Sequence, residues 1–219
     1  MITNLNNKIE QEANFVENGI FARKNFLSLE KVNKILEDCE NIFQNKLDNS
    51  ALGAQATTFF PGLYSISCPT LSINFNFLEL AIDIFDVIKT LDKNINQSDY
   101  ELTNIDILKD NNNELMWHTD NTTNMYRAFI YLQGGSDTTG AFRQMIGTHS
   151  RDYTINHELD ETTITQKNLN EKIVTCDYPV GSLIISDING FHSNCKKETP
   201  RIIVIFDFIK KKSSYNKSI

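Results

Sequence analysis

The residues of this chain with the types and spacing for metal chemistry are His118 and Asp120, which stand two positions apart in Trp117-His118-Thr119-Asp120, together with His192 and Arg201 far downstream. On a β-strand, residues i and i+2 point to the same face. His118 and Asp120 are therefore expected to project together as two ligands of one ion. His192, in Gly190-Phe191-His192, would supply a third. Two imidazoles and one carboxylate on one face of an octahedron form the ligand set of non-haem Fe(II) oxygenases. Alone, His-x-Asp is a weak signal, because a histidine on a strand is more often hydrogen-bonded structure than a ligand. The downstream pair adds weight. Arg201 heads a run of Ile, Val and Phe, and a guanidinium at the edge of an apolar core needs an anionic partner. Its planar fork suits a carboxylate. A bound dicarboxylate would satisfy it, and a salt bridge to Asp207 or Glu198 is the competing reading.

A site drawn from positions 118, 120, 192 and 201 needs a fold that gathers distant residues at one mouth. From Tyr100 onward the chain reads as strands. Leu102, Asn104, Asp106 and Leu108 alternate with Thr103, Ile105, Ile107 and Lys109. After a turn at Asn111-Asn112-Asn113 comes the strand bearing His118. Met125 to Gln133 follows, with Tyr126, Ala128, Ile130 and Leu132 opposite Arg127, Phe129 and Tyr131. Further strands are expected at Ala141 to Ile146, Lys172 to Cys176, Ser182 to Ser186 and Arg201 to Ile209. The last is nearly continuous in apolar residues and should be central and buried.

Before Tyr100 the chain is helix-rich. A short strand is expected in the run ending Ile20-Phe21-Ala22-Arg23. Ser28 reads as an N-cap, with Leu27 and Val32 placed as a hydrophobic staple. Val32, Ile35, Leu36, Cys39, Ile42 and Phe43 then mark an amphipathic helix over 29–46. Phe77, Leu80, Ala81, Ile84, Phe85, Ile88 and Leu91 mark a second over 76–91. Residues 48–72 read as an aromatic-bearing loop. The polar segment 150–171 shows no clear pattern and is a candidate lid. No repeat or linker divides the chain. One domain over 1–219 is expected, helix-rich over 1–99 and strand-rich over 100–209. The fold class is α+β, mainly β: a double-stranded β-helix (jelly roll) core flanked by N-terminal helices.

Bulk properties narrow the partners. The 219 residues suit one domain with a sizeable core. A formal charge of −7 argues against a nucleic-acid-binding surface. No stretch reaches the roughly 18 apolar residues of a membrane span. The polar start, Met1 to Lys8, lacks the apolar run of a secretory signal. Cys39, Cys68, Cys176 and Cys195 are irregularly spaced and form no C-x-x-C pair, so free thiols in a reducing cytoplasm are expected.

With these residues in view, the sequence resembles the phytanoyl-CoA dioxygenase-like group of Fe(II)/2-oxoglutarate-dependent oxygenases over most of its length. Phe15-Val16-Glu17-Asn18-Gly19 and Phe26-Leu27-Ser28 look like that group's opening strand and helix cap. Gly140-Ala141-Phe142 and Gly147-Thr148-His149-Ser150 look like its glycine-led strand and its Pro-Gly-Ser-His element. The order His-x-Asp…His…Arg is the specific part. The resemblance implies that His118, Asp120 and His192 hold Fe(II) and that Arg201 holds the distal carboxylate of 2-oxoglutarate. Asn194 stands where a serine often helps bind that co-substrate, and His149 matches a position that is not a ligand. Ile146 departs from the usual proline, and Gly181-Ser182 from the common Gly-Asp. The implied reaction consumes O2 and 2-oxoglutarate, releases succinate and CO2, and hydroxylates an unactivated C–H bond. Asp120 argues against halogenation, for which the superfamily has Ala or Gly there.

The substrate expected is a small molecule, free or presented on a carrier protein, touched by Phe59, Tyr64, Tyr126 and Arg143. Desaturation, cyclisation and epimerisation begin with the same hydrogen abstraction and stand as alternatives. A non-catalytic jelly-roll binding protein with a vestigial site is a rival of another class, and the complete ligand set argues against it. A cupin-type metalloenzyme would be richer in histidine and would leave Arg201 without a partner.

Overall fold

The structure, a computed structural model, describes residues 9–44, 63–67, 75–93, 100–109, 116–120, 125–136, 138–149, 158–195 and 201–210. The helices are α1 (Phe15–Asn18), α2 (Leu29–Gln44), α3 (Phe75–Leu91) and α4 (Glu161–Gln166). The strands are β1 (Ile20–Arg23), β2 (Leu63–Ser67), β3 (Tyr100–Lys109), β4 (Trp117–His118), β5 (Met125–Gln133), β6 (Phe142–Met145), β7 (Glu158–Leu159), β8 (Ile173–Thr175), β9 (Leu183–Asp187), β10 (His192–Asn194) and β11 (Ile202–Lys210).

They form two antiparallel sheets. The larger has the order β1-β9-β5-β11-β3-β2, the smaller β7-β4-β10-β6-β8. From β3 the chain passes to β4 in the small sheet, back to β5, across to β6 and β8, back to β9, across to β10, and home to β11. This alternation winds two sheets into a double-stranded β-helix. β11 pairs with β5 on one side and β3 on the other, as its apolar run requires.

Three apolar layers result. The outer face of the large sheet carries Ala128, Ile130, Val204 and Phe206, and meets the stripes of α2 and α3. Ser28 caps α2 by accepting from the Lys31 amide at 3.2 Å, and Leu27 and Val32 are both buried beside it. Between the sheets lie Phe129, Tyr131, Phe142, Val174, Ile184 and Ile203. The outer face of the small sheet carries Trp117, Met145 and Phe191, covered by Leu159, Ile164 and Leu169.

Two segments differ from the sequence reading. The aromatic-bearing loop over 48–72 contains β2, which pairs with β3 as the edge of the large sheet. Five residues between Pro61-Gly62 and Cys68-Pro69 are too few to show a period. The described part of 150–171 is ordered structure: β7 pairs with β4, Asp160 caps α4 by accepting from the Thr163 amide at 2.6 Å, and a 3-10 turn follows at Leu169–Lys172.

Tyr131 ties the sheets together. Its ring is fully buried between them, and its hydroxyl donates to the Cys176 carbonyl at 3.1 Å while accepting from the Phe142 amide at 3.0 Å. Tyr131→Phe orphans both backbone groups in a dry layer. The expected loss is about 1–3 kcal/mol of unfolding free energy, read by urea denaturation of wild type and variant.

Candidate metal centre

His192 on β10 stands directly opposite His118 on β4 in antiparallel register. Residues so paired share one face of the sheet. The two imidazole centroids are 4.4 Å apart. Each ring is pinned by its own backbone: His118 Nδ1 lies 2.7 Å from the Met116 carbonyl and His192 Nδ1 lies 2.9 Å from the Gly190 carbonyl. A carbonyl only accepts, so Nδ1 carries the proton in both neutral rings and both Nε2 atoms are bare donors. Each Nε2 is 3.4 Å from Asp120 Oδ1. Ligands held at about 2.1 Å on adjacent octahedral positions lie about 3 Å apart, so this donor set fits one divalent cation after a small contraction. The three residues are the group of described residues whose ligand atoms all fall within 4.8 Å of one another.

Asp120 arrives there differently from the strand argument. β4 ends at His118, and Asp120 lies past it. Its amide donates to the Ile188 carbonyl at 3.3 Å, which keeps the chain beside β10 and holds the carboxylate on the histidine face. Burial pushes the Asp120 carboxyl up. Hydrogen bonds from the His118 and His192 rings in their protonated form, with the charge of Arg127, outweigh it and hold the group well below the usual carboxylate range. Arg127, on the inner face of β5, donates from Nη1 to Asp120 Oδ2 at 2.5 Å. It also grips Asp207 of β11, Nε to Oδ1 at 2.8 Å and Nη2 to Oδ2 at 3.2 Å. Sequence reasoning missed this residue. The signal was a cation in an otherwise apolar alternation, Arg127-x-Phe129-x-Tyr131, with an acid on another strand.

Arg201 sits at the start of β11 and is 4% exposed. Asp207, its competing partner on sequence grounds, belongs to Arg127. Arg201 instead donates to the Gly140 carbonyl and, at 3.4 Å, to Asn194 Oδ1. Among the described residues no carboxylate pairs with it, and Glu198 lies outside them. Burial draws its pKa below the ordinary arginine value. Asn194 is two residues beyond His192 on β10, so the guanidinium stands at the far end of the strand that begins with a histidine of the cluster.

The other expected contacts scatter. Arg143 alternates with Phe142 and Gln144 and falls on the outer face of the small sheet. Its guanidinium lies 5.1 Å from the Trp117 ring and donates to Ser193 Oγ at 2.9 Å. Tyr126 falls on the helix side of the large sheet, stacked on Tyr100 and donating to Asp92 at 3.1 Å. Neither faces the histidines, because each is one residue out of phase with the inner row. Phe59 lies outside the described residues, and Tyr64 is placed by its backbone alone, on the edge strand β2. His149 Nε2 meets the Val16 carbonyl at 3.0 Å, away from the cluster. In the described part of the expected lid, Leu159, Ile164 and Leu169 cover the Trp117 face, behind the histidines, while Glu158 stands opposite His118 in register. Residues 150–157 lie outside the described set.

No protein-family model matches this sequence, and no curated protein matches it. Solved structures do. The non-haem α-ketoglutarate-dependent carbocyclase SnoK from nogalamycin biosynthesis superposes with a TM-score of 0.68 at 14% identity, over 94% of this chain and 85% of that one. HygX from Streptomyces hygroscopicus, with nickel and 2-oxoglutarate bound, gives 0.64 at 14% identity over 92% and 87%. EctD from S. alaskensis, with 2-oxoglutarate and 5-hydroxyectoine, gives 0.72 at 17% identity over 92% and 75%. The fold is therefore the double-stranded β-helix that these structures share. No helix among the described residues is long and apolar enough to cross a membrane.

Two outcomes follow for the cluster. His192→Ala and Asp120→Ala should each abolish binding of a divalent cation in titration calorimetry, with the thermal melt of the metal-free protein retained. The second concerns pH. The Asp120 hydrogen bond, with the Met116 carbonyl, raises the His118 pKa above its ordinary 6.5 although burial opposes it. A cation must displace that proton. Metal affinity should be full above the raised pKa and start to fall at a pH already above 6.5 as acid is added. Calorimetry in buffers of different ionisation enthalpy would show the released proton.

Proposed function

We propose that this chain is an Fe(II)/2-oxoglutarate-dependent oxygenase that hydroxylates an unactivated C–H bond of a small molecule and releases succinate and CO2. One observation carries the reading. The same inter-sheet space holds a His–Asp–His cluster and, across Asn194 from it, a buried arginine with no carboxylate of its own among the described residues. A dicarboxylate that reaches from the cluster to Arg201 answers both. The order of these residues along the chain supports placement in the phytanoyl-CoA dioxygenase-like group.

In this reading His118, Asp120 and His192 present Nε2, Oδ1 and Nε2 to the metal, and the Met116 and Gly190 carbonyls hold the rings in the ligating tautomer. Arg201 binds the distal carboxylate of 2-oxoglutarate, oriented by Asn194 and the Gly140 carbonyl. Phe142 lies with its ring 5.6 Å from His192 and 4.6 Å from Phe129, and these rings keep water from the co-substrate's path. The metal supplies the reaction of O2 with 2-oxoglutarate that drives removal of hydrogen from the substrate. The protein's part is orientation, open coordination positions and a dry wall.

The carbocyclase SnoK and the epimerase SnoN from the same biosynthesis share this fold, which favours a second ending on the same site: cyclisation or epimerisation after the same abstraction, with desaturation the remaining alternative. Identification of the product separates these endings. The reading includes a cytoplasmic enzyme acting on a small molecule, free or carrier-bound, with any lid residing in 150–171.

Anaerobic addition of Fe(II) and then 2-oxoglutarate to the wild-type protein should produce a weak visible charge-transfer band. His192→Ala should lose it. Arg201→Ala should still bind Fe(II) but need far more 2-oxoglutarate to reach it. Iron-loaded, folded wild-type protein with no band would sink the assignment.

A further inference from the structure

The two oxygens of Asp120 have separate duties. Oδ1 is 3.4 Å from both histidine Nε2 atoms, while Oδ2 is 2.5 Å from Arg127 Nη1. Arg127 cannot swing away, because Asp207 holds it through two further nitrogens. Asp207 is 3% exposed and sits opposite Arg127 in the β11–β5 register, so the backbone of the large sheet fixes the anchor. The chain of contacts runs from the large sheet to a carboxylate attached to the small one.

A free carboxylate can grip a cation with one oxygen or with both. Three protein ligands on an octahedral ion leave three positions open. A chelating keto acid would take two and leave one, so a second oxygen from Asp120 would close the site. We propose that Arg127 is a positioning residue that ties back Asp120 Oδ2, confines the carboxylate to one-oxygen ligation, and so keeps the third position open. This rests on the metal site and co-substrate proposed above. The residue type is specific. A guanidinium holds Asp207 with two nitrogens and still offers a third to Asp120, whereas a lysine ammonium is one compact point charge.

The test uses Co(II), whose visible spectrum reports its coordination. The full chain is compared with Arg127→Gln, Arg127→Lys and the double variant Arg127→Gln/Asp207→Asn. The double variant removes the buried carboxylate that the single one leaves unpaired, so it folds where the single variant fails. A second Asp120 oxygen on the ion changes its ligand set, so Arg127→Gln and the double variant should shift the Co(II) band shape while still binding the ion, and Arg127→Lys should not restore the wild-type band. A lower melting temperature with the wild-type Co(II) spectrum and affinity would overturn the positioning role and leave Arg127 purely structural. Wild-type protein that takes up no Co(II) would remove the metal site itself, and this proposal with it.

Discussion

The candidate site depends on one register: His192 opposite His118 across β10 and β4. In an antiparallel pair a slip of one residue turns every side chain to the other face. Such a slip would bring Trp117 inward and send His118 into the layer now formed by Leu159, Ile164 and Leu169. The register is protected by what lies behind it. Trp117, Met145 and Phe191 are all buried on the reverse face, so the apolar content of the outer layer determines which face the histidines take. The segment 158–172 supports the site in this way, from behind.

Electrostatics set the second condition. The space between the sheets contains two arginines and two aspartates of this site in a largely apolar surround, and charges there persist only when paired. Arg127 is shared by Asp120 and Asp207, which satisfies three of the four. Arg201 is the remainder, held by a carbonyl and an amide oxygen, both neutral. The asymmetry is chemically informative. At one end a single guanidinium meets two carboxylates and leaves a net negative charge, and at the other a guanidinium has no carboxylate partner among the described residues. The two ends are thus opposite in sign, as the function proposed above requires of a site for a cation and a carboxylate.

Much of this was legible along the chain. The stripes of α2 and α3, the alternation in β3 and β5 and the apolar run of β11 are local periodicities, and each element formed close to where its period placed it. The grouping of His118, Asp120 and His192 was legible in residue type, two imidazoles and an acid with a downstream arginine, although the strand spacing used to join His118 to Asp120 was not what brought them together. β2 and β7 were not legible. Five and two residues carry no period, and each exists only because an edge of β3 or β4 was there to pair with.

The sequence by itself determined the inventory: which residues have the chemistry of a metal ligand, which cation heads a buried strand, and which segments are helix or strand. Those properties follow from residue type and short-range spacing. Tertiary structure alone decided the assignments between distant residues. It gave Asp207 to Arg127 rather than to Arg201, turned Arg143 and Tyr126 away from the histidines, and brought Asp120 to the cluster from beyond the end of its strand. Each of these depends on the face and register at which two strands meet, and that is set by burial of the whole sheet, which no local stretch of sequence encodes.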